Sequence, residues 1–353
     1  MAYSSIVKPS VYFNTKLYTG NGGANSITGV GFQPDLVWMK NRSTGLHHVL
    51  QDAVRGTTKA IYSNLTAAEE TQSGSITAFA SDGFTFGSGT MADVNGNGNS
   101  FASWNWKANG AGSANTDGSI NTTATSVNTT AGFSISKYTG TGSNATVGHG
   151  LGVVPAVVIV KNLSNGSDAW MIYHKNSNAT PEDYLLQFNT NIAAAQNTNM
   201  WNSTAPTSSV FSVGTENGVN QSSQQIIAYC FAEKTGYSKF GSYKGNGANF
   251  DNAFVYTGFK PSLVIIKKSN TTGNWVIEDN KRAGYNQANY HLYPNLTNAE
   301  GTNYYTDFLS NGFKIRDNPS DIGESGHTYI YMAFAEEPLV ANSGSNGVPA
   351  TAR

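Results

Sequence analysis

The chain has 353 residues, of which 39% are apolar and only 12% charged, and its formal net charge is -1. That length is long for one compact domain and sets a prior of two or three. The near-zero charge, with Lys and Arg dispersed, excludes the basic field that nucleic acid would require, and a single cysteine, Cys230, excludes an intrachain disulfide and a Cys-based zinc site. The 38 glycines, with many Asn, Ser and Thr, point to short strands joined by turns, an all-β class. The N-terminal MAYSSIVKPS has no charged and apolar leader pattern, and nowhere do about 18 apolar residues run together. Synthesis in a cytosol without a signal peptide, and no membrane insertion, are therefore expected.

In chain order, KLYTGNG (Lys16 to Gly22) reads as a strand end and glycine turn, followed by GFQPDLVWMKN (Gly31 to Asn41). In that segment Pro34 opens a strand, as the missing N–H requires, and both faces are apolar: Leu36 and Trp38 on one, Val37 and Met39 on the other. A strand of this kind belongs at the centre of a sandwich, covered on both sides. VLQDAVRG (Val49 to Gly56) and IYSNLTAAEE (Ile61 to Glu70) follow. Thr66 and Glu69 have capping-box spacing, which predicts a short helical turn. SDGF (Ser81 to Phe84) predicts a hairpin with glycine at positive φ, and DVNGNGN (Asp93 to Asn99) a glycine-asparagine hairpin. FASWNWKA (Phe101 to Ala108) closes the set. By period-2 reading Ala102, Trp104 and Trp106 face a core, while Ser103, Asn105 and Lys107 face a partly wet side.

The same series then repeats. SKYTGTG (Ser136 to Gly142), VVPAVVIVKN (Val153 to Asn162), LQFNTNIAAA (Leu186 to Ala195) and IIAYCFAE (Ile226 to Glu233) form a second copy. GSYKGNG (Gly241 to Gly247), GFKPSLVIIKK (Gly258 to Lys268), VIEDNKRAG (Val276 to Gly284), LYPNLTNAEG (Leu292 to Gly301) and YIYMAFAE (Tyr329 to Glu336) form a third. Thr297 and Glu300 again carry capping-box spacing. The expected organisation is three tandem β-sandwich modules, jelly-roll or lectin-like, with minimal helix. They span residues 1–108, 109–234 (with a polar linker at its start) and 235–340, followed by a tail at 341–353. Each is large enough to bury its own core, and Trp38, Ile159 and Ile265 should occupy equivalent buried positions. The tract Asn109 to Gly132 is either a flexible linker or an edge strand, whereas the second junction is so short that modules two and three should dock rigidly.

GFQPDLVWMKNRS, VLQDAVRG, YSNLTAAE, SDGF, GYSKFGSYKGNG, FVYTGF and IAYCFAE together resemble a family of tandem-repeat proteins encoded by tailed phages of marine bacteria. Such proteins are labelled virion structural or tail-fibre-like. The resemblance covers nearly the whole chain and implies a place in the virion and other virion proteins as partners. It also implies a symmetric homo-oligomer, a trimer first, because phage fibres are commonly trimers. It carries over no catalytic residue.

The residues themselves offer little chemistry. The histidines His47, His48, His149, His174, His291 and His327 lack metal-ligand spacing and read as turn or surface histidines. DVNGNGN starts like a calcium loop, but the position that needs a bidentate Glu is Trp104. Glu278 with Asp279, and Glu69 with Glu70, are adjacent on strands and face opposite sides, which is wrong for a glycosidase pair. No cofactor and no metal are expected, and no enzyme activity.

One constellation recurs at fixed spacing: Lys40, Asp52 and Arg55, then Lys267, Asp279 and Arg282. The module-two equivalent of the Asp is His174. Two readings stand. The set closes the turn after the central strand as an ion pair, worth no more than about 1 kcal/mol if exposed and several if buried. Alternatively it is a polar site for sugar or for a neighbouring subunit. The function expected is a non-enzymatic virion component, a tail fibre or appendage that contacts host-surface polysaccharide. A capsid decoration or head fibre, and a free carbohydrate-binding protein, are the alternatives.

Overall fold

A computed structural model describes residues 4–343 and 346–349 and shows an antiparallel, nearly all-β molecule. Three large sheets share one strand order. In the first, the opening strand Phe13–Thr19 pairs with the closing strand Ser100–Trp106, which pairs with the central strand Leu36–Asn41, then His48–Asp52 and Lys59–Tyr62. In the second the series is Phe133–Thr139, Gln225–Phe231, Val157–Asn162, Met171–His174 and Tyr184–Gln187. In the third it is Ser238–Lys244, Thr328–Pro338, Phe259–Lys268, Trp275–Asp279 and His291–Leu292. A small sheet accompanies each, with edge strands Asn25–Thr28, Ala145–Gly148 and Phe254–Tyr256.

Register places Trp38 opposite Trp104, Ile159 opposite Tyr229 and Ile265 opposite Met332, so the three expected positions are equivalent, and all are buried. Pro34 and Pro155 stand just before their strands. Pro261 lies inside one, where the pairing register shifts on either side of it, the bulge that a ladder proline requires.

Each repeat has its own core between large and small sheet. Val37, Met39, Phe84 and Phe86 belong to the first, Val158, Phe211 and Cys230 to the second, and Val264, Phe313 and Tyr331 to the third. The face carrying Trp104 and Trp106 is not part of these cores. Trp38, Trp104 and Trp106 join Ile159, Tyr229 and Phe231 and Ile265, Met332 and Phe334 in a fourth core shared by all three repeats. At its middle Trp106, Phe231 and Phe334, equivalent residues of the three closing strands, form a triangle with ring centroids 5.5, 5.7 and 6.2 Å apart. The opposite face of the closing strand is dry too: Ser103 and Asn105 are buried, and Asn105 donates to the carbonyls of Asn14 and Ser103.

Some local expectations change. No helical turn forms at Thr66 or Thr297, because both segments are extended into a neighbouring repeat. Short α-helices form instead at Ala92–Asn95 and Asn217–Asn220, with 3-10 turns at Pro9–Val11 and Pro181–Asp183. The first takes up the start of DVNGNGN in place of a hairpin, and the Asn95 side chain then ties down the Asn21–Gly23 turn. In the two-residue hairpins Gly83 does have positive φ (148°), but Gly312 does not. What both positions share is crowding: a Cβ would lie 1.9 Å from the Ile27 carbonyl oxygen at Gly83 and 2.1 Å from that of Val255 at Gly312.

The Asn109 to Gly132 tract carries an edge strand, Ala124–Asn128. Its start is anchored by Asp35, whose carboxylate accepts from the amides of Ala108 and Gly110. Of the tail, Val340–Ser343 pairs with Asn346–Pro349, and the remaining positions lie outside the described residues.

Since the repeats share a core, they should unfold together. Phe334→Ala removes one corner of the ring triangle and should cost about 3–5 kcal/mol, in a single transition by both far-UV circular dichroism and tryptophan fluorescence. Two separated transitions would show that the repeats are independent.

Candidate functional site

Lys40, Asp52, Arg55, Lys267, Asp279 and Arg282 are all buried, and the lysines are separate from the acids. In the strand pair, Lys40 lies opposite His48 at one end while Asp52 lies opposite Leu36 at the other. Asp52 binds the Arg55 amide and Nε (2.8 and 2.5 Å), and Asp279 binds those of Arg282 (2.9 and 2.6 Å). Each arginine also donates to a strand carbonyl, Leu50 or Ile277, and reaches Glu69 or Glu300. Burial alone would raise Asp279, but Arg282 holds its carboxyl below the usual range.

These acids point across repeat boundaries. Tyr229 of the second repeat donates its hydroxyl to Asp52 at 2.7 Å, and Trp104 of the first donates its indole N–H to Asp279 at 3.0 Å. Tyr229 and Trp104 occupy one equivalent position. The third residue there is Met332, which has no donor, and the site facing it holds His174. With Nδ1 accepting the Asn176 amide, His174 Nε2 donates to the Tyr331 carbonyl at 3.2 Å. A carboxylate at position 174 would face Met332 in place of a donor and would have Ser177 where the other repeats have their arginine, so it would be buried without a counter-ion, which is costly. Burial holds His174 down to about 4.

The triplicated lysines have the same logic. Lys40 Nζ donates to the Thr297 carbonyl, Lys161 Nζ to that of Thr66 and Lys267 Nζ to that of Asn191, at 3.2, 2.8 and 3.4 Å, each in the neighbouring repeat. Two residues beyond each lysine, a carbonyl accepts a backbone amide from that neighbour: Arg42 from Glu300, Leu163 from Glu69 and Ser269 from Ala194. Trp170 and Trp275 add indole bonds to the carbonyls of Tyr62 and Gln187. Burial lowers Lys40 and Lys161 to about 8 and Lys267 to about 7, with Asp93, Asp168 and Asp321 opposing the shift in turn.

The constellation is thus a set of joints within one chain, closed to sugar or another subunit. The histidine reading also changes, since His48, His149, His174 and His291 are buried. Among the described residues no group of His, Cys, Asp and Glu could hold a metal ion.

An open groove lies elsewhere, where the second repeat meets the third. Adjoining hollows of about 530, 430 and 240 Å³ all touch Glu233, and between them they reach Lys175, Lys234, Lys239 and Tyr256. Glu233 pairs with Lys175 at 2.7 Å and accepts the Phe240 amide. Lys239 donates to the Tyr256 carbonyl at 2.9 Å and stands 5.3 Å from the centroid of its ring. Phe254 and Tyr256 are 47% and 52% exposed, on the same side of their strand, and Val153 and Val154 are exposed at the far end. The sequence contained this signal in FVYTGF, but it becomes visible only once register identifies the counterparts. Phe254 and Tyr256 stand where the first repeat has Ser26 and Thr28 and the second Thr146 and Gly148.

Two outcomes test the joints. Asp52→Ala leaves buried Arg55 with only the longer contact to Glu69, and Tyr229 without its acceptor, and should cost about 3–5 kcal/mol, measured by urea unfolding; a loss below about 1 kcal/mol would indicate an exposed pair. The lysines, lowered in the fold, are protonated more readily when unfolded, so between about pH 7 and 10 unfolding takes up protons and stability rises with pH. Above that range buried tyrosines such as Tyr138 and Tyr243, raised by burial, reverse the trend. The urea midpoint should increase from about pH 7 to 9.5, and Lys161→Met should flatten the increase. A midpoint independent of pH would show that the lysines keep their ordinary values.

The chain matches the family described as "Domain of unknown function (DUF7483)" over residues 8–338, which spans all three repeats. No curated protein and no solved structure matches it.

Proposed function

We propose that this chain, which belongs to the DUF7483 family, is a non-enzymatic structural component of a phage particle, a fibre or appendage that meets host-surface polysaccharide. The observation that carries the reading is the shared core: three repeats close on one another through cyclically equivalent bonds, making a three-part body from one polypeptide. The resemblance to virion structural and tail-fibre-like proteins supplies the particle. The perturbed lysines and the Asp–Arg pairs, which in another setting would suggest catalysis, are consumed in holding repeats together.

The threefold arrangement expected of a fibre is, in this reading, internal. The bulky face of each closing strand, the surface that would drive association of separate subunits, is already covered by the other two repeats. A single species of 37.5 kDa is expected at micromolar concentration by sedimentation, and a stable trimer would overturn the internal arrangement. A tagged chain expressed during infection should co-purify with intact particles on a density gradient. Recovery only in the particle-free fraction, or steady release of short sugars from host polysaccharide by the pure protein, would count against the function proposed.

A further inference from the structure

The three repeats provide an internal control on what the fold requires. At the outward positions of the small-sheet edge strand, two repeats fold with Ser26 and Thr28 or with Thr146 and Gly148, so large rings are not needed there. The third repeat nevertheless places Phe254 and Tyr256 at those positions, where about half of each residue stays in solvent and the stabilisation from burial is correspondingly incomplete. Residues i and i+2 of a strand share a face, so the two rings form one platform. It borders the hollows at the junction of the second and third repeats.

The charge around the platform is asymmetric. Three lysines and one glutamate line the hollows, and Lys175 takes the glutamate. Lys239 is held against Tyr256. Lys234 is half-buried, and among the described residues no carboxylate stands within ion-pair range of it. Ser238 and Thr257 line the same hollow, but they are buried and their hydroxyls already donate to the carbonyls of Ala232 and Phe259. A concave site with flat apolar rings and a cation that no carboxylate neutralises is complementary to a ligand with a flat C–H face and an anionic group.

We propose that this groove binds an acidic saccharide, with a sugar ring stacked on the platform of Phe254 and Tyr256 and its carboxylate directed to Lys234. The proposal deepens and rests on the polysaccharide-contacting reading above, and it assigns the contact to one junction of the three. An added peptide strand fits less well. In the second repeat the corresponding edge is covered by Ser119 and Ile120, whose amides bond to Thr146 Oγ1 and the Thr146 carbonyl. In the third, Lys239 already occupies the Tyr256 carbonyl and blunts the edge.

The test is calorimetric titration of the intact protein with alginate oligosaccharides, neutral dextran oligosaccharides and a pentaglutamate peptide. Alginate should bind saturably and more weakly as salt increases, with dextran at least tenfold weaker. The double substitution Phe254→Ser with Tyr256→Thr installs the residues of the first repeat, so the fold should survive with its melting temperature unchanged while alginate affinity falls at least tenfold. Lys234→Gln should weaken alginate several-fold and leave dextran unaffected. No saturable alginate binding by the unsubstituted protein, binding indifferent to the ring replacements, or pentaglutamate binding as tightly as alginate would each overturn the proposal. Because these readouts use pure protein, they can fail while the chain is still found in particles, and the reverse.

Discussion

The contact of Trp106, Phe231 and Phe334 at the middle of the molecule is the constraint on which the other features depend. Each ring is the same residue of its repeat's closing strand, and each pair contributes on the order of 1 kcal/mol beyond the area it buries. Putting the three closing strands face to face commits the large sheets to burial on both sides, one against its own small sheet and the other against the neighbours. That explains why central strands are apolar on both faces and why even Ser103 and Asn105 of the closing strand are dry. The small void lined by Leu36, Trp38, Ile159, Tyr229, Ile265 and Met332 is apolar and of about one water's volume, a place where water would find no partner.

A core assembled from three sheets brings strand ends together, and these carry unpaired backbone carbonyls. The triplicated lysine meets that demand. A carbonyl left buried without a donor is costly, and an ammonium on a long stem can reach carbonyls of its own repeat and of the next: Lys161 bonds both Asp168 and Thr66. The consequence is a buried cation in each junction, with its protonated state disfavoured. The acid position varies for a complementary reason. Asp52 and Asp279 persist where Tyr229 and Trp104 supply donors, and His174 replaces the acid opposite Met332.

With interior positions fixed by the shared core, the outer surface is where the repeats can differ. The first repeat leaves its edge strand polar, the second covers its own with the segment after Asn109, and the third presents two rings beside a groove. A difference of that kind is informative because the fold has already been built twice without it.

What the sequence determined alone was whatever depends on neighbours along the chain. Period-2 alternation identified the strands, glycine turns delimited them, and Pro34, Pro155 and Pro261 aligned the repeats, so the all-β class and the equivalence of Trp38, Ile159 and Ile265 were legible from local pattern. Only the tertiary structure decided which core each face entered. Alternation shows that Trp104 and Tyr229 are buried, but the burial of an apolar side chain is indifferent to whether its partners come from its own repeat or another. The same holds for Lys40, Asp52 and Arg55. Their spacing revealed a repeated device, but their partners Thr297, Tyr229 and Glu69 are supplied by chain closure across up to about 260 residues. At Thr66 and Thr297 the capping box, a local signal, favours a helix start, but the cross-repeat bonds of their carbonyls, made only once the three sheets meet, hold both segments extended.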